Sequence, residues 1–179
     1  MAFTAMAQEP GRIYRLGLLT SYRPYDPAQA DTVVALLGAL RQRGFIEGKN
    51  LTLVVRAFGL HRELMSEYAA ELVKAQVDVI YTGGPSGIRA VQQATRTIPI
   101  LAITDDMLGS GLVKSMSRPD GNTTGVSILA TELDGKRQEI LIEAVPGIRR
   151  IAALADVYTT ANDQARDVGG DAPGLALGE

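Results

Sequence analysis

A chain of 179 residues with 46% apolar and 21% charged residues has the size and balance of one globular domain, or of one domain and part of another, and is neither disordered nor fibrous. Eighteen lysines and arginines against 20 acids leave a formal charge of −2, so no broad positive field exists to hold nucleic acid or an anionic membrane surface. Cysteine is absent and His61 is the single histidine, which excludes disulfides, cysteine-ligated zinc, iron–sulfur clusters, thiol nucleophiles and paired-histidine metal sites; no cofactor and no metal is expected.

Residues 1–12 are expected to be a flexible terminus or the remnant of a signal. Ala5-Met6-Ala7 has the small-x-small form of a signal-peptidase site, but a basic leader and a long apolar stretch do not precede it. From there apolar runs alternate with helical periodicity. Strands are predicted at 15–20, 51–57, 77–81, 98–103 and 125–129. After the first of them, Asp26 as N-cap and Pro27 at the first helical position open a helix whose inward stripe is Ala30, Val33, Val34, Leu37 and Leu40, and Gly44 ends it. A second helix carries Leu64, Met65, Tyr68, Ala69, Leu72 and Val73 at helical spacing, and a third follows the turn 82–86 with Ile88 and Val91 inward. Residues 109–117 are predicted to form a fourth. Beyond 129, Thr131 and Asp134 fit a capping box for a helix with Ile140, Leu141 and Val145 on its apolar face, closed by Pro146-Gly147. Residues 151–154 read as a sixth strand and 156–179 as an irregular, glycine-rich tail.

Strands that are nearly continuous in apolar residues, with helices between them, are buried on both faces. The fold class is therefore α/β, a doubly wound parallel five-stranded sheet that right-handed crossovers arrange most simply in the flavodoxin-like order 2-1-3-4-5. Ligands in such sheets sit outside the carboxyl ends of the strands where the order reverses, so the loops 21–26 and 82–86 are expected to face one crevice.

Three loops can carry chemistry. Gly83-Gly84-Pro85-Ser86 joins a strand end to a helix start, where free N–H groups favour a carboxylate or phosphate and Ser86 offers an N-cap or ligand hydroxyl; the alternative is a tight turn and nothing more. It is neither a dinucleotide fingerprint nor a Walker A loop. Asp105-Asp106 follows the fourth strand and could meet a ligand amine, hold a metal, act as acid and base, or simply cap a loop. Tyr22 and Tyr25 flank Arg23 in the first loop, suited to stacking on a flat ligand or to an ordinary surface. Gly109-Ser110-Gly111 is a further flexible turn. His61 reads as an exposed residue ahead of a helix, and Asn122-Thr123-Thr124 as the turn into the fifth strand.

Taken in order, the stretches LRQRGFIEGKNLTLVVR at 40–56, AAELVKAQVDVIYTGG at 69–84, AVQQATRTIPILAI at 90–103, GSGLVKSMSRPDGNTTGVSIL at 109–129 and ELDGKRQEILIEAVPGIRRIAAL at 132–154 resemble the ABC-transporter substrate-binding proteins grouped with tryptophan and tyrosine uptake, of the type I periplasmic-binding fold. The resemblance is collinear over about residues 13–156. It implies a non-enzymatic, exported or lipid-anchored periplasmic protein whose two lobes close on a small carboxylate, such as an aromatic or branched amino acid, and deliver it to an ABC permease. It implies ligand contacts at Thr20, Ser21 and Tyr22, at Gly83, Gly84, Pro85 and Ser86, and at Thr104, Asp105 and Asp106. The family's usual Gly-Asp-Pro is replaced here by Thr104-Asp105-Asp106-Met107, and its Gly-Gly-Asn by Asp120-Gly121-Asn122. On this reading 13–129 is the first ligand-binding lobe, 130–155 the crossing into and start of a truncated second, which leaves an unpaired stub able to self-associate. The competing expectation is a small flavodoxin-like nucleotide-binding or enzymatic domain, against which stands the missing phosphate fingerprint.

Overall fold

The computed structural model describes residues 11–23, 31–119, 121–129, 133–145 and 147–148. Five strands, β1 (Tyr14–Thr20), β2 (Leu51–Ala57), β3 (Val79–Gly83), β4 (Ile100–Thr104) and β5 (Thr123–Ser127), form one sheet in the order β2-β1-β3-β4-β5, with every neighbouring pair parallel. This is the order and pairing expected from the apolar runs. The last three strands lie two residues from their predicted starts, with β3 and β4 later and β5 earlier. Asp78, for example, spends its carboxylate on the backbone N–H of Arg15 and the Arg12 guanidinium before β3 begins.

Helices cover both faces. α1 (Asp31–Gln42) packs Val33, Leu36, Leu37 and Leu40 on Leu16, Leu18, Leu51 and Tyr81. Val34, predicted to face inward, is 43% exposed, because Leu36 takes its place on the stripe. Asp26, Pro27 and Ala30, the predicted start of this helix, lie outside the described residues. Asn50 pins the return to β2, accepting from the N–H of Ile46 at 2.7 Å and donating to the Gly44 carbonyl at 2.9 Å.

On the other face lie α2 (Met65–Lys74), preceded by a 3-10 turn at Arg62–Leu64, and α3 (Pro85–Ala94). Met65, Ala69 and Leu72 of α2 and Ala90 and Val91 of α3 close a second core over Leu19, Ile80 and Ile100. Full burial of leucine and isoleucine side chains of this kind stabilises by about 1.5–3 kcal/mol each.

Residues 109–117 do not form the predicted helix: they lie in a looped segment of turns and bends. Two glycines and three serines in GSGLVKSMS give little helix propensity, and Gly111 sits at a φ of +63°. The segment is instead tied down from α3, where Arg89 donates to the Ser110 carbonyl at 2.6 Å and Gln92 to the Leu112 carbonyl at 2.8 Å, while Met107, Leu112 and Val113 are buried against Ile88 and Ala102.

Asn122 donates to the carbonyls of Ile98 and Thr95 and so acts as the turn into β5. A last helix, α4 (Asp134–Ala144), has Leu133 as its N-cap residue, so Asp134 is its first residue and not the third, reaching residue of the expected capping box; Thr131 and the expected strand at 151–154 lie outside the described residues, as does the tail from 156. Among the described residues no helix is long and apolar enough to cross a membrane.

Candidate functional site

The register brings the carboxyl ends of all five strands to one edge. Thr20 pairs with Ala57, Leu19 with Thr82, Gly83 with Ile103 and Thr104 with Ser127. Loops leaving these ends cannot continue the sheet, so they fold outward around a crevice of about 360 Å³. Of the ten residues singled out in the sequence, nine line it: Thr20, Ser21, Tyr22, Gly83, Gly84, Pro85, Ser86, Thr104 and Asp105.

Each wall has a backbone reason for its shape. The Thr20 hydroxyl donates to the Tyr22 carbonyl and turns the first loop, while the Thr20 carbonyl accepts from the N–H of Phe58 at 3.0 Å, joining the ends of β1 and β2. Gly84 is the N-cap residue of α3, with φ +72° and ψ 153°, a conformation open to glycine and strained for other residues. Its N–H donates to the Ile103 carbonyl at 2.9 Å and its carbonyl accepts from Ile88 at 3.1 Å. Pro85 supplies the first helical residue at no hydrogen-bond cost. Ser86, which the sequence offered as an N-cap, lies instead in the first turn. The N–H groups of Ser86 and Gly87 have no carbonyl of α3 to meet, and with the helix dipole they favour negative charge at this wall.

Asp105 and Asp106 part company. Asp105 lines the crevice, and its carbonyl accepts from Leu129 at 2.8 Å, next to the bond from Ile128 to the Thr104 carbonyl. Asp106 is absent from the lining: its Oδ1 accepts from the N–H of Leu108 at 3.0 Å and of Gly109 at 2.9 Å, so this carboxylate caps the following turn. Among the described residues no three histidine, aspartate or glutamate side chains gather as metal ligands. Tyr25 lies outside the described residues, and His61 is exposed, with Nδ1 3.0 Å from Glu63.

Residues not singled out in the sequence complete the lining. Phe58, Arg62 and Met65 stand on the α2 side, with Tyr81, Ile103 and Ile128 elsewhere around it. Phe58 directly follows the last residue of β2, so the strand-end rule applied to all strands rather than to the reversal point would have found it. Tyr81 was predicted as the last residue of its strand, where the same rule points, and it was passed over for the loop that follows; the strand runs on to Gly83. Arg62 and Asp105 together give the crevice one residue of each charge.

The open parallel sheet of this order, with its crevice at the strand tips, is the architecture of a type I periplasmic-binding lobe. The model of one family, described as ABC transporter substrate binding protein, matches residues 25–168, and the chain belongs to that family, whose members are substrate-binding proteins and not enzymes. A tyrosine-binding protein of Clostridioides difficile (strain R20291) is 32% identical over 91 residues, 50% of this chain and 26% of that protein. The crystal structure of a conserved domain protein from Vibrio cholerae O1 biovar El Tor is 27% identical with a TM-score of 0.69, covering 78% of this chain and 46% of that one. A Streptococcus pneumonia domain in complex with L-Trp shares the fold at 20% identity and a TM-score of 0.57, covering 64% of this chain and 38% of its own. The chain thus spans less than half the length of each of these three proteins.

Proposed function

We propose that the crevice binds the carboxylate of a small amino acid ligand, aromatic in preference, for delivery to an ABC permease in the periplasm. The observation that carries this reading is the meeting of the β1, β3 and β4 tips at the first turn of α3, whose residues Ser86 and Gly87 line one crevice with Tyr22, Phe58 and Met65. The carboxylate sits at Ser86 and Gly87, the ammonium meets Asp105, and the side chain lies against the aromatic wall. Residues 13–129 act as one lobe, and a second lobe covers the ligand from the far side. The tyrosine-binding relative supports the aromatic choice.

Two-dimensional NMR titration of the chain with tyrosine, phenylalanine, tryptophan and leucine tests it. Resonances of Ser86, Gly87 and Tyr22 shift with the amino acids and not with tyramine, which lacks the carboxylate. Asp105→Asn weakens binding of the amino acids but leaves that of 3-phenylpropionate, which lacks the ammonium, unchanged. Equal response to tyramine and tyrosine would overturn the assignment of the carboxylate to α3.

A further inference from the structure

Tyr81 is rooted two residues behind the β3 tip at Gly83, roughly 7 Å back from the sheet edge at the rise of an extended strand. It therefore forms the floor of the crevice, whereas the α3 turn and Asp105 stand at its rim. The residue is 8% exposed, belongs to the core cluster of Leu16, Leu18, Val33 and Leu51 against which Tyr22 packs, and lines the crevice. Its hydroxyl makes no hydrogen bond among the described residues. Nor is that oxygen sealed in the core: among the described residues the enclosed side-chain polar atom without a partner is the Thr82 hydroxyl, on the opposite face of β3 against Gly87. A tyrosine hydroxyl this deeply set ordinarily finds a partner, and here its unused capacity opens onto the crevice. Burial, with Tyr22 adding to it, raises the Tyr81 phenol above its ordinary value, so it stays protonated through the neutral range.

We infer that Tyr81 is a specificity residue of the crevice, its hydroxyl hydrogen-bonding the side-chain hydroxyl of a hydroxylated aromatic ligand so that tyrosine is selected over phenylalanine. This rests on the reading of the crevice as an amino acid site. The charged ends of the ligand are met at the rim, which leaves the side chain to reach the floor. Phenylalanine would bury the Tyr81 oxygen against a hydrogen-free carbon edge and leave it unsatisfied. A net hydrogen bond of about 1 kcal/mol corresponds to a preference of roughly fivefold, rising where the group left behind is fully desolvated.

The test is the ratio of dissociation constants for L-tyrosine and L-phenylalanine, read by NMR titration of the full chain and of Tyr81→Phe. The variant deletes an oxygen without a protein partner, so its spectrum and unfolding midpoint match the parent. The expected result is a parent that prefers tyrosine about fivefold and a variant that binds the two alike, with phenylalanine affinity kept or improved. Equal weakening of both ligands would place the hydroxyl on the carboxylate or ammonium and overturn the inference while leaving the site reading intact. An unchanged ratio in the variant would overturn it as well. If neither amino acid shifts any crevice resonance, the site reading falls and takes the inference with it.

Discussion

Asp78 shows how one side chain joins the start of β3 to the terminus of the lobe. Its Oδ2 accepts from the N–H of Arg15 at 2.7 Å and its Oδ1 from the Arg12 guanidinium at 2.6 Å, and Arg12 in turn lies 4.9 Å from the centre of the Tyr14 ring. Burial alone would raise this carboxyl, but the bonds from Arg15 and Arg12 and the charges behind them outweigh it and hold it below its ordinary 3.8. A carboxylate depressed in the folded state contributes stability that is complete above its unfolded value and lost as the pH falls through its folded one. Unfolding midpoints are therefore expected to hold above about pH 5 and to fall below 3.8, and Asp78→Asn to flatten that acid limb while lowering stability at pH 7 by about 1–3 kcal/mol. An acid limb identical in the variant would show that other carboxylates govern it. At this scale the sequence was most legible at strand ends: the loops that hold Ser21, Gly84 and Asp105 follow from where apolar runs stop, and Thr20 was added by the family resemblance. The capping role of Asp106 was not legible, since two adjacent aspartates look alike until the backbone decides which one turns back.

Elements were legible where hydrophobic period and connection agreed. β1, buried from Leu16 to Thr20, and β2, half-buried at the sheet edge, are separated by α1, and their apolar runs made the observed order the simplest one. The predicted helix 109–117 failed because its buried apolar residues, Leu112 and Val113, join Met107 of the preceding loop in anchoring a looped segment against Ile88 of α3. β5 depends on a glycine: a Cβ at Gly125 would land on the backbone carbonyl of Ala102 in β4, which cannot rotate away. Gly125→Ala is expected to destabilise by about 3 kcal/mol or more through loss of the β4–β5 pairing, visible as a lower urea midpoint. Gly38 is the opposite case. It lies in the middle of α1, is exposed, and a Cβ there meets nothing within 4 Å, so Gly38→Ala is expected to raise stability by about 0.5–1 kcal/mol. Equal effects of the two substitutions in the same urea titration would contradict this account of the sheet edge.

For the molecule as a whole, order and handedness could be read from the chain, whereas the completeness of the binding site could not, because a cleft depends on what stands opposite it. The crevice is walled on the side of this lobe, with Ile128 in its lining, and Ile128, Leu129 and the α4 residues Ile140, Leu141 and Ile142 are all at least 40% exposed. Apolar side chains exposed in this way favour association, and light scattering at rising concentration is expected to show it, with Ile140→Lys/Ile142→Lys shifting the chain toward the monomer. Ligand affinity follows from the same geometry. A small ligand is held tightly when 70–90% of its surface is buried, as is typical of pockets, and one wall covers about half, which reduces a micromolar site of about −8 kcal/mol to roughly millimolar. With a dissociation constant of about 1 mM, 10 mM amino acid stabilises the chain by about 1.4 kcal/mol, which moves the unfolding midpoint of a domain this size by roughly 3–6 °C. Micromolar binding would instead supply about 5 kcal/mol at the same concentration and a shift several times larger. A thermal melt with and without 10 mM phenylalanine separates the two. A small shift fits a lobe that works with a second wall, and a large one in a monomer would show that residues of this chain close over the ligand by themselves.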